Sequence, residues 1–147
     1  MRYDLYVITD RRLSNGLSHA EVAKRVVQGG ADIVQLRDKD LSDREYYRVA
    51  MEMRSVTRGT QTAFIVNDRI DVALASQADG VHLGQDDLPV EVARRLAPGD
   101  FVIGVSVSSV EEAVSAQASG ADYVAGADLR NVHEERCGPC GGAAIAP

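Results

Sequence analysis

Short apolar runs alternate along the chain with longer segments in which apolar and polar residues recur at helical spacing. Runs of three to five residues, rich in β-branched side chains, predict six strands. Strands that are apolar on both faces and separated by helices are typical of a parallel sheet. The predicted strands are Leu5–Ile8, Ile33–Leu36, Ala63–Val66, Val81–Leu83, Phe101–Val105 and a last one that begins at Tyr123–Ala125.

Five helices are predicted between these strands, and three of them begin at a serine that is followed three residues later by a glutamate. This spacing is the capping box, in which the two side chains satisfy backbone N–H groups at the helix start. Gly29-Gly30 is expected to end the first helix. The helices are predicted from the Ser18 cap to about Gln28, from Ser42 to about Thr57, near Ile70–Ser76, from Pro89 to Leu96, and over Ser109–Ser119.

An internal repeat places Ala-Asp just before three of the strands, at Asp32, Asp79 and Asp122. The intervals of 47 and 43 residues each span about two strand–helix units. Eight such units would form a (β/α)8 TIM barrel somewhat below the typical ~250 residues. The predicted fold class is therefore α/β, an incomplete barrel of about five and a half units. A doubly wound open sheet is the alternative, and the recurrence of polar motifs at successive strand ends favours the barrel.

Length and charge restrict the function. The 147 residues suffice for one domain with a core, and a net charge of −6 without a basic stripe argues against a nucleic-acid surface. No apolar run approaches the roughly 20 residues that span a bilayer. The N-terminus leads directly into a strand, with no signal-peptide pattern. These features predict a cytoplasmic protein without nucleic-acid or membrane partners.

Charged side chains follow the predicted strands. Asp68 comes after the third strand and Asp87 after the fourth, and because parallel strands end on the same side, we expect these carboxylates to converge. Arg37 and Lys39 follow the second strand. Carboxylates are the hard ligands that magnesium prefers, and Arg and Lys provide fixed charge for phosphate. The pattern indicates a site for a magnesium-bound diphosphate.

With these motifs in place, the chain resembles thiamine-phosphate synthases, within the superfamily they share with thiazole tautomerases, over roughly residues 3–126. The resemblance implies a transferase of thiamine biosynthesis that joins hydroxymethylpyrimidine diphosphate to thiazole phosphate and releases diphosphate, with Mg²⁺ as cofactor. The motifs that carry it are Tyr6–Asp10, Val34–Lys39, Asn67–Arg69, Asp79–Leu88 and Ile103–Ser106.

The resemblance also implies residue roles. Asp68 and Asp87 would be the metal ligands, while Arg37 and Lys39 would be catalytic, as clamps on the departing diphosphate. His82 is interpreted as an interior hydrogen-bonding residue and not as a catalytic base. The implied substrate-binding residues are Gln35, Leu36, Arg37, Asp38, Lys39, Asn67 and Ser106.

Structural alternatives remain for three of these residues. Asp68 could serve as a helix cap, since an aspartate after a strand often does so. Gln35 could be a packed polar group of the barrel interior, and Ser106 could belong to a helix-capping segment.

The resemblance implies a dissociative reaction. The bond between the pyrimidine methylene carbon and the diphosphate oxygen would break first, leaving a pyrimidine cation that the thiazole nitrogen captures. The protein would then chiefly stabilise the diphosphate by electrostatics.

Beyond Gly126 the chain departs from the family pattern, because the expected Thr-x-Thr-Lys motif is absent. Residues 1–126 are predicted to be a partial barrel and residues 127–147 an aberrant, disordered tail. A shift of reading frame near Gly126 would, with permissible codons, restore the motif. The Cys137–Cys140 pair lacks the flanking strand and helix that a redox motif needs.

A barrel shortened in this way is expected to have unpaired first and sixth strands. Its synthase activity is therefore predicted to be doubtful, and it could self-associate through the open edges. Two alternatives stay open: a thiazole tautomerase-like isomerase, and an inactive fragment that binds at most the pyrimidine diphosphate.

Overall fold

The computed structural model describes residues 4–126 and 143–145, and along this length strands alternate with helices. Up to residue 126, the six strands and five helices match the predicted ones in order and type. The largest shift is at the fifth strand, which continues to Val107 and therefore includes Ser106. The elements are β1 (Tyr6–Ile8), α1 (His19–Gln28), β2 (Ile33–Leu36), α2 (Asp43–Thr57), β3 (Ala63–Asn67), α3 (Ile70–Ala75), β4 (Gly80–Leu83), α4 (Val90–Leu96), β5 (Val102–Val107), α5 (Val110–Ala118), β6 (Tyr123–Gly126) and β7 (Ala143–Ile145).

The chain divides into two compact units, and the boundary between Val81 and His82 falls within β4. In the first unit, β1 pairs in parallel with β2 and β2 with β3, so each strand lies beside the next one in sequence. In the second unit, β5 pairs in parallel with β6. Parallel pairing of successive strands without reversal of order fits a barrel better than a doubly wound sheet.

Apolar side chains of β2 and β3 form the core of the first unit. All four residues of β2 and all five of β3 are buried, including Ile33 and Phe64, which have no exposed surface. Met53 on α2 is likewise fully buried. Burial on both faces confirms the reading of these apolar runs as strands of a parallel sheet.

Two of the three predicted capping boxes are complete. At Ser18 and Ser42, the serine side chain accepts the glutamate N–H and the glutamate carboxylate accepts the serine N–H. The third prediction is only half right. Ser109 accepts from the Glu112 N–H, but the Glu112 carboxylate binds the N–H and hydroxyl of Ser108. Ser109 has a φ of −143°, far from the −70° of Ser18, so its own N–H is turned differently.

The Ala-Asp repeat is also a structural repeat. In each copy, the aspartate makes two hydrogen bonds to one residue near the start of the preceding strand. The aspartate N–H donates to the carbonyl of that residue, and the aspartate carboxylate accepts from its N–H at 2.7 to 2.9 Å. These paired bonds fix how each strand begins beside its neighbour. The pairs are Asp32 with Leu5, Asp79 with Phe64, and Asp122 with Ile103.

The prediction of an unpaired sixth strand is wrong. β6 pairs with β7 in antiparallel orientation, with Val124 opposite Ile145 and Gly126 opposite Ala143. The short apolar run of β7 lies in the segment interpreted as aberrant, so it was not recognised as a strand. The remaining predictions for residues 127–142, 146 and 147, including those for the cysteine pair, fall outside the described residues. Within the described part of the chain, no helix combines the length and apolarity needed to cross a membrane.

Candidate active site

One buried tyrosine fixes the ends of two neighbouring strands. The Tyr46 hydroxyl, on α2, lies 3.0 Å from the Leu36 carbonyl and 3.1 Å from the Asn67 carbonyl, so it donates to the ends of β2 and β3 together. Burial, followed by the negative charge of Asp68, raises the pKa of Tyr46 above its usual range. The hydroxyl therefore stays protonated. It anchors the backbone from which the Arg37 and Asp68 side chains extend.

The loop after β2 borders a charged cavity of about 370 Å³. Asp40 pairs with Arg12 at 2.9 Å, and Asp10 accepts the Arg12 N–H at 2.7 Å. Among the described residues, neither Arg37 nor Lys39 takes part in an ion pair. The cavity thus presents two cations that have no carboxylate partner within residues 4–126 and 143–145. Its lining residues are Asp10, Arg11, Arg12, Arg37, Asp38, Lys39 and Asp40.

Asp38 lies between the two cations but is turned into the protein. Its side chain is 5% exposed. One carboxylate oxygen lies 3.0 Å from His19 Nε2, and the other accepts the Asp40 N–H at 2.9 Å. Burial alone would raise the pKa of Asp38, but the hydrogen bonds from His19 and Asp40 outweigh it and lower that pKa. The carboxylate is ionised and shapes the loop, while its direct contact with substrate stays a prediction.

Gln35 and Leu36 are enclosed by the first unit. The Gln35 side chain donates to the Tyr6 hydroxyl at 2.7 Å, and the residue is 1% exposed. This geometry agrees with the alternative of a packed interior polar group, and a role in substrate binding stays a prediction. The Leu36 side chain is fully buried, so only its backbone could face a ligand.

Asp68 occupies a strained turn at the end of β3. Its φ is +62°, in the left-handed region that non-glycine residues rarely adopt. The Arg69 N–H donates to the Asn67 carbonyl at 2.7 Å, which makes a three-residue turn centred on Asp68. Such strain is concentrated at functional sites. Arg69, and not Asp68, occupies the N-cap position of α3, so the capping alternative does not describe Asp68.

Arg69 ties the same turn to α2. It pairs with Asp43 at 2.6 Å and with Asp71 at 2.7 Å. The Asp71 and Asp43 carboxylates raise the pKa of the guanidinium, and Arg69 in turn lowers the pKa of Asp71. Arg69 is therefore committed to neighbouring carboxylates, unlike Arg37.

In the second unit, Asp87 closes a short turn after β4. Its carboxylate accepts the Gly84 N–H at 2.6 Å, and its own N–H lies 3.3 Å from the Gly84 carbonyl. A Cβ at Gly84 would lie 3.1 Å from the Asp87 carboxylate, so glycine leaves room for this approach. Asp87 lines a cavity of about 220 Å³, while the adjacent Asp86 is exposed.

Ser106 lies beside a neutral histidine. His82 Nε2 is 2.9 Å from the Ser106 hydroxyl, and Nδ1 is 3.0 Å from the Tyr123 hydroxyl. Burial lowers the pKa of His82 to about 4, against a smaller opposing effect of Asp87. The interpretation of His82 as an interior hydrogen-bonding residue is confirmed. The capping alternative for the Ser106–Ser109 segment holds for Ser109, the N-cap of α5, but not for Ser106, which lies within β5.

Tyr123 was not identified from the sequence. Its ring covers the position where a side chain at Gly104 would stand, since a Cβ there would lie 1.9 Å from Tyr123 Cζ. The ring also stacks on His82, with centroids 5.5 Å apart. A glycine inside a strand is the signal that could have indicated such a close approach.

The predicted magnesium ligands are only two carboxylates, those of Asp68 and Asp87. Within residues 4–126 and 143–145, no three or more His, Cys, Asp or Glu side chains gather as a metal site. Magnesium bound with a phosphorylated substrate needs only one or two carboxylates, because phosphate oxygens and water supply the rest. Asp68 and Asp87 have the right chemistry, and their predicted convergence stays a prediction.

Comparison with known proteins agrees with the resemblance found in the sequence. A family model described as thiamine monophosphate synthase matches residues 5–131. The thiamine-phosphate synthase of Methanoregula boonei is 59% identical over 129 residues, which is 88% of this chain and 60% of that protein. The thiamine-phosphate synthase of Clostridium novyi is 49% identical over 124 residues, covering 84% of this chain and 61% of the relative.

The solved structures include a similar fold. A thiamine phosphate pyrophosphorylase from Pyrococcus furiosus superimposes with a TM-score of 0.77 at 46% identity, covering 84% of this chain and 59% of that one. The prediction of an incomplete α/β barrel is thereby confirmed. The chain spans about three fifths of the length of the curated relatives it matches. From residue 5 to residue 131, the chain belongs to the thiamine monophosphate synthase family.

Proposed function

We propose that the chain works in thiamine-phosphate synthesis, where hydroxymethylpyrimidine diphosphate is joined to thiazole phosphate with release of diphosphate. The observation that carries this proposal is the cavity after β2, where Arg37 and Lys39 have no carboxylate partner in the part of the chain that the structure describes. The proposed residues account for the pyrimidine diphosphate. The thiazole phosphate has no proposed ligand among residues 4–126.

Arg37 and Lys39 are the proposed catalytic clamps. The planar guanidinium of Arg37 can bind two phosphate oxygens at once, and the Lys39 ammonium adds a compact charge. As the carbon–oxygen bond breaks, its electron pair leaves with the diphosphate and a cation remains on the pyrimidine methylene carbon. The thiazole nitrogen then donates its lone pair to that carbon. Fixed cations lower the barrier because negative charge on the diphosphate grows in the transition state.

Asp68 and Asp87 are the proposed holders of magnesium. When bound, the ion would neutralise diphosphate charge as a Lewis acid. The support is that each carboxylate follows a strand of the parallel series, and that Asp68 is kept in a strained backbone conformation.

Polar side chains would complete the pyrimidine site. We assign hydrogen bonds to the substrate to the amides of Asn67 and Gln35 and to the hydroxyl of Ser106, which is exposed. Neutral His82 would orient that hydroxyl through the 2.9 Å contact. Leu36 and Asp38 would contribute through the backbone and loop that carry the clamps.

Calorimetric titration tests the proposal. Hydroxymethylpyrimidine diphosphate is titrated into the protein with MgCl₂ and, separately, with EDTA, and thiamine phosphate formation is assayed after adding thiazole phosphate. Magnesium-dependent binding with product formation would support a synthase. Binding without product would identify a fragment limited to the pyrimidine diphosphate. If binding does not depend on magnesium, the proposal is overturned and the isomerase alternative is favoured.

The setting is also a proposal. We propose a cytoplasmic protein that acts on small molecules, which its acidic composition and the phosphorylated substrates support. Fractionation of the source cells tests the location. Self-association through open strand edges stays a prediction, and light scattering across a concentration series would detect it.

A further inference from the structure

We propose that His19 is a positioning residue for the diphosphate clamp. It holds Asp38, the residue between Arg37 and Lys39, against the end of β1. This contact fixes the backbone from which the Arg37 and Lys39 side chains extend. This inference rests on the proposed function. His19 itself would touch no substrate.

The contacts of His19 join three elements of the first unit. The residue starts α1 and is 4% exposed. Its Nδ1 lies 2.7 Å from the hydroxyl of Thr9, just beyond β1, and its Nε2 lies 3.0 Å from the Asp38 carboxylate, just beyond β2. Thr9 is 1% exposed, so the link is shielded from water.

Both ring nitrogens of His19 are engaged. The Asp38 carboxylate is ionised and accepts from Nε2 at 3.0 Å, so this nitrogen carries a hydrogen. Nδ1 lies 2.7 Å from the Thr9 hydroxyl, whose oxygen also lies 3.1 Å from the Gln35 carbonyl. The ring thus connects the Asp38 carboxylate to the end of β1.

The consequence for the clamp follows from the position of Asp38. Its buried carboxylate is bonded on both oxygens, and the Arg37 N–H lies 3.4 Å from the same Thr9 hydroxyl. The backbone that carries Arg37 and Lys39 is thus held before any ligand arrives. Binding then costs the conformational entropy of two side chains but not that of the loop, which is the benefit of preorganisation.

A double-mutant cycle separates this role from simple packing. Affinity for inorganic pyrophosphate with MgCl₂ is measured by calorimetry for wild type, His19→Gln, Lys39→Met and the double variant. We expect His19→Gln to weaken binding about fivefold in the wild-type background but less than twofold beside Lys39→Met, because coupled residues are non-additive. Lys24→Met, which removes an exposed lysine of α1, is the matched control and should change nothing.

The outcomes of these measurements separate the positioning role of His19 from the proposed function. Equal affinity of wild type and His19→Gln, or losses that multiply fully in the double variant, would overturn the positioning role even if the melting temperature falls. Wild type that fails to bind pyrophosphate would overturn the proposed function itself, and this inference with it. Imidazole ¹H–¹⁵N spectra add a readout that packing does not affect: His19 Nε2 should carry a hydrogen, and a hydrogen on Nδ1 alone would contradict the contact with Asp38.

Discussion

The two units each bury one histidine, and the two histidines have opposite surroundings. His19 is 4% exposed and His82 is 8% exposed, and each is engaged through both ring nitrogens. His19 has a hydroxyl and a carboxylate as partners, whereas His82 has two hydroxyls. Two hydroxyls do not offset the cost of burying a charged imidazole. Hence His82 is neutral, with its pKa lowered to about 4.

This difference shows that the two units hold their proposed site residues by different interactions. In the first unit, a charged network carries the loop of Arg37 and Lys39, which suits an anionic ligand. In the second, neutral hydrogen bonds and close packing around Tyr123 and Gly104 set the position of the Ser106 hydroxyl. The loop of Arg37 and Lys39 therefore depends on charged contacts, and the surroundings of Ser106 depend on packing. Substitutions can disrupt each of them separately.

The largest loss of stability is expected from a substitution in the close packing between Gly104 and Tyr123. Gly104→Ala places a Cβ 1.9 Å from Tyr123 Cζ, so the ring must move and the stack on His82 must break. We expect the free energy of unfolding to fall by ~3 kcal/mol or more, at the upper end of overpacking costs. Chemical denaturation measures it. Gly99→Ala is the matched control, with nothing within 4 Å of the new Cβ. An equal loss in both variants would refute the packing argument.

The next effect is the dependence of stability on pH that His82 causes. The pKa of His82 is about 4 in the folded protein and ~6.5 when unfolded, so the unfolded chain binds the proton first. Stability should therefore fall as the pH drops from about 6.5 towards 4, by ~3 kcal/mol in all. The pKa of Asp38 is lowered on folding, so its contribution is lost only at still lower pH. Denaturation midpoints at a series of pH values test this.

The control for the pH experiment is His82→Gln, which keeps hydrogen bonding but cannot take up the proton. Its stability should be less dependent on pH across the same window. If wild type and His82→Gln lose stability in parallel, another group is responsible and the neutral assignment of His82 is wrong.

A smaller effect is expected from the tyrosine that joins the ends of β2 and β3. Tyr46→Phe keeps the ring but leaves the Leu36 and Asn67 carbonyls without their shared donor. We expect a loss of ~1–2 kcal/mol in stability together with weaker pyrophosphate binding, because both ends carry proposed site residues. Tyr47→Phe, at a neighbouring position that is 41% exposed, is the control. Unchanged binding in Tyr46→Phe would confine its role to stability.

The elements were predictable because their signals are local. Alternating runs, two full capping boxes and the Ala-Asp repeat each operate within a few residues. The place of Arg37 and Lys39 after β2 followed from the strand prediction, while their role as clamps stays a prediction. The contact between His19 and Asp38 was not predicted, because it depends on how α1 packs against the end of β2, 19 residues along the chain. The approach of Tyr123 to Gly104 is also tertiary, although a glycine within β5 hints at it. The Glu112 error came from the backbone angle of Ser109, which the capping spacing does not encode.

The most direct test of the clamp is a binding comparison between two arginines. Hydroxymethylpyrimidine diphosphate is titrated with MgCl₂ into wild type, Arg37→Gln and Arg48→Gln; Arg48 pairs with Glu52 on α2 and lies outside the cavity lining. Loss of a charge-assisted contact predicts about tenfold weaker binding for Arg37→Gln and unchanged binding for Arg48→Gln. Equal affinities of all three proteins would contradict the assignment of the cavity after β2 as the diphosphate site.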